Sequence, residues 1–99
     1  MNLRALLSID EREALLRDCP EWVTSADQRA ISRRYTFPDF ESCFAFMTRC
    51  ALLAQAHNHH PDFIQSYTRL DVTLTTHDAG GLTTLDARMA RAIQAFTSS

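Results

Sequence analysis

The sequence contains no lysine and only two glycines, three prolines and three cysteines in 99 residues. All ten basic residues are arginine, and twelve acidic residues outnumber them to leave a net charge of −2. Without a basic excess there is no sequence-wide attraction to phosphate backbones or anionic lipid, so neither a nucleic-acid nor a membrane partner is implied. The cysteines, Cys19, Cys43 and Cys50, are odd in number and form no Cys-x-x-Cys pair. That spacing argues against a disulfide framework and a zinc ribbon, and leaves them as small core side chains. The apolar runs, such as Ala51-Leu52-Leu53-Ala54, fall far short of the roughly 18 residues that a membrane span needs. The N-terminus lacks a signal-peptide layout, and the expected location is the cytoplasm. No repeat, low-complexity tract or Pro/Ser-rich linker divides the chain, so residues 1–99 read as one domain, with fraying expected at 1–2 and 97–99.

What is present is a clear succession of periods. Ser8 followed by Glu11 has capping-box spacing and opens a helix to about Asp18, which Pro20 stops. Glu21 to Val23 and Ala30 to Phe37 read as a strand hairpin, with Trp22, Ile31, Tyr35 and Phe37 as strand formers around a polar connector. From Asp39 the period becomes helical. Phe40, Phe44, Met47, Ala51 and Ala54 form one stripe, and Cys43, Phe46, Cys50 and Leu53 form a second beside it. Together they cover about half the helix circumference, more than one sheet face requires, which predicts a further covering surface. Asp62 to Tyr67 and Arg69 to Thr76 read as a second strand pair, with Leu70, Val72 and Leu74 on one face and Asp71, Thr73, Thr75 and His77 on the other. A last helix begins at Thr83 and turns Leu85, Met89, Ala92, Ile93 and Phe96 inward. The order αββαββα predicts an α+β fold, a four-stranded antiparallel sheet with helices packed on one face. The adjacent Gly80 and Gly81 mark the turn expected to need positive φ.

Three of the four histidines, His57, His59 and His60, lie just before Pro61, and His77 ends the last predicted strand. An antiparallel pair that starts after Pro61 and ends at His77 brings His59, His60 and His77 to one pocket. Histidine titrates near pH 6.5, so such a cluster can hold an acid and a base at one pH. Two other readings of the same residues stand beside this one. The imidazoles can cap helix carbonyls or sit in solvent. His57, His59, His60 and His77 can also be drawn as zinc ligands, although no His-Glu-x-x-His helix or Cys-x-x-Cys knuckle supports a metal, and none is expected.

His59-His60-Pro61, Tyr67, the stretch Leu74 to Thr83 around Thr76-His77-Asp78-Ala79-Gly80-Gly81, and Asp86 together resemble the signature of pterin-4a-carbinolamine dehydratases. Trp22, the segment Arg33 to Phe40 and Phe44 to Met47 extend the resemblance, which covers about residues 10–96. It implies a hydro-lyase that dehydrates 4a-hydroxytetrahydropterin to quinonoid dihydropterin, recycling the cofactor of aromatic amino acid hydroxylases without a metal or organic cofactor. On the matching positions the resemblance implies His59, His60 and His77 as the catalytic set, with His59 and His77 transferring protons and His60 positioning the pterin. Asp86 is implied to orient His77 or bind a pterin nitrogen, with stabilisation of the last helix's N-terminus as a compatible role. Pro61 offers an apolar wall, and Thr76, Asp78 and Ala79 place backbone groups at the pterin edge.

The chain departs from that family pattern at two positions. Gln55 stands where the family usually has Glu, so a neutral amide replaces a carboxylate able to bond the pterin or tune a histidine, which implies slower turnover. Phe63 stands in place of Trp and keeps an apolar ring without the indole donor. The competing function is a non-catalytic dimerisation or assembly module on the same scaffold. Under both readings the wide apolar arc of the helix from Asp39 predicts a homodimer or homotetramer.

Overall fold

The computed structural model describes residues 2–97. Of the ends expected to fray, Met1, Ser98 and Ser99 lie outside the described residues, whereas Thr97 closes the last helix and donates its hydroxyl to the Ile93 carbonyl at 2.7 Å. The elements are α1 (Ile9–Asp18), β1 (Val23–Thr24), β2 (Ile31–Thr36), α2 (Phe40–His57), β3 (Asp62–Ser66), β4 (Arg69–Leu74), a one-turn 3-10 helix (His77–Ala79) and α3 (Thr84–Thr97). This is the expected αββαββα order, with the 3-10 turn as an addition.

The sheet runs β1-β2-β4-β3, antiparallel throughout. Leu70, Val72 and Leu74 of β4 and Ile31 and Tyr35 of β2 face inward. They meet Met89, Ala90 and Ile93 of α3 and Cys43, Cys50 and Ala54 of α2 in one buried cluster. On the opposite face, Ile64 is exposed and Arg34 bonds Asp71 across the strands at 2.7 Å. Period-two burial along β4 and period-3.6 burial along α3 are what a sheet with one covered face requires.

The helix ends follow from local chemistry. The Ser8 hydroxyl accepts from the Glu11 N–H while the Glu11 carboxylate accepts from the Ser8 N–H, completing the capping box of α1. Asp39 accepts from the Ser42 N–H at 2.7 Å and starts α2. Asn58, in the left-handed region at φ 51°, ends α2. Only Gly80 of the two glycines takes positive φ, at 78°. At Gly81 the constraint is space, because an added Cβ would sit 3.2 Å from Leu6 Cδ2. Three other positive-φ residues, Gln28, Asn58 and Tyr67, carry side chains.

Two expectations change in detail. β4 ends at Leu74, short of Thr76, because the chain leaves β2 there: Thr75 donates to the Arg29 carbonyl at 2.6 Å and Thr76 bridges to Gly81. Along α2 the second predicted stripe turns inward and the first divides. Cys43, Cys50 and Ala54 are buried, whereas Phe40 and Phe44 remain 47% and 48% exposed and Ala51 faces solvent. The arc is indeed wider than the sheet can cover.

Candidate active site

The site lies where the α2–β3 connection meets the β4–α3 loop. The left-handed Asn58 reverses the chain at the end of α2, and the His59 N–H returns to the Ala54 carbonyl at 3.1 Å. This reversal carries His59 inward, where it is only 8% exposed, and leaves His60 exposed. Pro61 is buried behind it, and β3 begins at Asp62.

On the other side, the Thr76 carbonyl accepts from the Ala79 and Gly80 N–H groups and the Thr76 N–H donates to the Gly81 carbonyl. The tight turn so formed holds His77 at the start of the 3-10 segment with its side chain 80% exposed. The N-terminal arm fastens this loop. Leu7 N–H donates to the Leu82 carbonyl at 2.9 Å, and the Arg4 guanidinium pairs with the Asp78 carboxylate at 2.8 Å.

Asp86 joins the two stretches. It belongs to the first turn of α3 and is fully buried, and both of its carboxylate oxygens have polar partners. Oδ1 lies 2.6 Å from His59 Nε2, and Oδ2 accepts from the Thr76 hydroxyl at 2.8 Å and the Thr83 N–H at 2.9 Å. A buried carboxylate is tolerable only with such polar partners on both oxygens. In the tautomer that lets His59 Nε2 donate to Oδ1, Nδ1 is the ring nitrogen left for exchange with another group.

The two histidine-bearing stretches therefore converge. His59 reaches Asp86, which also holds Thr76, the neighbour of His77, while His77 Nε2 stands 3.6 Å from the Asp62 carboxylate, three residues beyond His59. The geometry differs from the expected arrangement in two respects. Asp86 pairs with His59 instead of His77, and its bond to the Thr83 N–H also realises the helix-start role. The imidazoles also do not share one environment: His59 is interior, whereas His60 and His77 are open to solvent.

Among the remaining predicted residues, Gln55 is exposed on the last turn of α2, Asp78 is paired with Arg4, and the N–H groups of Thr76 and Ala79 are engaged inside the turn. Tyr67 lies at the β3–β4 turn, at the far end of the hairpin from Asp62, and is 69% exposed. Sequence reasoning missed Asp62, Thr83 and Arg4. Asp62 was signalled by its place directly after His-His-Pro at the start of a strand antiparallel to the one leading to His77. Among the described residues no group of three or more His, Cys, Asp or Glu side chains is placed to hold a metal ion.

Known proteins resemble this chain over most of its length. The sequence model for "Pterin 4 alpha carbinolamine dehydratase" matches residues 5–96. A relative from Rhizorhabdus wittichii, named "Putative pterin-4-alpha-carbinolamine dehydratase", is 51% identical over 91% of this chain and 93% of its own length. One of the same name from Novosphingobium aromaticivorans is 49% identical over 93% of this chain and 96% of its own. The crystal structure of a transcriptional coactivator/pterin dehydratase from Brucella melitensis superposes with a TM-score of 0.85 at 40% identity, covering 91% of this chain and 96% of that one.

Proposed function

Because the chain belongs to the pterin-4α-carbinolamine dehydratase family, a family of hydro-lyases, we propose that it dehydrates a 4a-hydroxytetrahydropterin by histidine acid–base catalysis. The observation that carries this reading is the buried 2.6 Å contact between His59 and Asp86, which shares a carboxylate with the residue before His77. Loss of water from the carbinolamine carbon requires a proton on the departing hydroxyl and removal of a proton from the neighbouring ring nitrogen. His59, with Nε2 tied to Asp86, presents Nδ1 in a fixed orientation. The Asp86 carboxylate offsets the positive charge the ring gains on taking a proton, the service a buried aspartate performs for a catalytic imidazole elsewhere. His77, exposed and facing Asp62, can exchange protons with solvent between turnovers. In this reading His60 positions the pterin, Pro61 supplies an apolar wall, and the Thr76 to Ala79 turn borders the ring. The products are quinonoid dihydropterin and water, so the reaction consumes what a pterin-dependent aromatic amino acid hydroxylase releases. The proposed setting is the cytoplasm, with residues 1–99 acting as one unit and with no metal or organic cofactor.

The family also implies self-association. Phe40 and Phe44 expose apolar surface along one side of α2 and Leu52 along another, surface that a second copy would cover in a dimer or tetramer. The coactivator description of the Brucella protein favours a second reading, an assembly module on the same scaffold. The two separate in one assay. A pterin-dependent hydroxylase generates the carbinolamine, and its spectral decay is followed with and without this protein. The dehydratase accelerates that decay at substoichiometric concentration. Decay at the spontaneous rate, even with protein equal to the intermediate, rejects the enzymatic reading.

A further inference from the structure

The hydroxyl network behind His59 gives Thr76 a task different from bordering the substrate. The Thr76 hydroxyl donates to Asp86 Oδ2 across 2.8 Å, and that bond uses its single proton. The contact of 2.8 Å between the Thr76 and Thr83 hydroxyls then has one possible direction: Thr83 donates and Thr76 accepts. Thr83 in turn accepts from the Leu85 N–H at 3.2 Å. Every proton in the chain Leu85 N–H, Thr83, Thr76, Asp86 is thereby assigned. Oδ2 is anchored by two donors, Thr76 and the Thr83 N–H, which turns Oδ1 toward His59. Thr76 is 2% exposed and Thr83 is fully buried, so neither hydroxyl is presented to a substrate.

We propose that Thr76 is a positioning residue, held in its rotamer by Thr83, that fixes the Asp86 carboxylate and through it the ring plane and tautomer of His59. The inference rests on the dehydratase reading for its kinetic consequence, but the hydrogen-bond geometry it asserts can be tested without turnover. Two substitutions separate the hydroxyl from the methyl group. Thr76→Val keeps the branched shape and loses the donor. Thr76→Ser keeps the donor and loses the methyl.

In the carbinolamine assay Thr76→Val is expected to lower kcat roughly ten-fold, the loss of one hydrogen bond to a charged group, with KM changed less than about two-fold. Thr76→Ser is expected to stay within about two-fold of the parent in both. The second readout is the proton between His59 Nε2 and Asp86 in the full-length protein, observed by proton NMR with 15N-labelled histidine. A short bond to a carboxylate gives a low-field, exchange-protected signal. That signal should persist in Thr76→Ser and be lost or broadened by fast exchange in Thr76→Val, with both variants folded by circular dichroism.

Parent-like kcat in Thr76→Val, a KM effect without a kcat effect, or Ser more damaging than Val overturns the proposal and makes Thr76 a contact or packing residue. An unchanged low-field signal in Thr76→Val overturns it as well. If the parent protein has no dehydratase activity, the proposed function fails, and the NMR comparison alone decides the role of Thr76.

Discussion

His59 and His77 flank the same β3–β4 hairpin and differ in nearly every physical respect. His59 is enclosed and bonded to a fully buried carboxylate, while His77 is open to water with Asp62 at 3.6 Å. Loss of either should depress the dehydration rate by about 10²-fold, the lower end for a general acid or base, and His59→Ala should also lower the melting temperature because Asp86 keeps its burial without its ring partner. Stopped-flow decay of the carbinolamine together with thermal unfolding of both variants checks this, and unchanged rates move the chemistry elsewhere. The residue types at the site were legible in the sequence, the histidines by their clustering and Asp86 by its place in the family signature. Their pairing was not. Asp86 is nine residues from His77 and twenty-seven from His59, so proximity in sequence favoured the wrong imidazole, and only the turn of α3 toward the end of α2 brings the distant one closer. Cys50 shows the opposite case. Its place on the inner stripe of α2 predicted burial, and burial pushes the thiol up to about 12.

At the scale of the elements, α2 does the positioning. It begins at the Asp39 cap, runs to His57 and delivers the chain through the left-handed Asn58 to His59. The Ser42 N–H that Asp39 accepts holds its carboxyl below the ordinary value of 3.8. A group whose pKa is depressed on folding stabilises the fold above its unfolded pKa and loses that contribution as pH falls through the folded value. Asp39→Ala should therefore melt at a lower temperature than the parent at neutral pH, and the gap should narrow as pH falls below 3.8. Thermal unfolding across a pH series measures it, and a gap that widens in acid contradicts the cap. Helix starts were readable because Ser8, Glu11 and Asp39 announce them with side chains that bond the backbone. Strand ends were less so. β4 stops at Leu74 because Thr75 and Thr76 find other partners, Arg29 and Gly81, and those partners are set by the folded loop, not by the local pattern.

For the whole molecule, the core was visible in the alternation of β4 and the period of α3, and Leu70, Val72, Leu74, Met89 and Ile93 are all fully buried. What lies outside the core carries the next expectation. Phe40, Phe44 and Leu52 on α2, with Ile64 on the edge strand β3 and Tyr67 just beyond it, are large apolar side chains left open, and a second copy is the covering surface we propose for α2. The parent protein should scatter light as a dimer or tetramer at micromolar concentration, and Phe44→Glu, which places a charge beside Phe40 on α2, should shift it toward monomer. A monomeric parent contradicts the self-association reading. No helix among the described residues is long and apolar enough to cross a membrane.

The central claim is that imidazoles from two stretches of chain surround one pterin, and titration of the protein with a stable dihydropterin while following the histidine ring resonances by NMR tests it most directly. The resonances of His59, His60 and His77 should move together along one saturable curve. A His77 signal that stays fixed while those of His59 and His60 move, or three signals indifferent to the pterin, would contradict it.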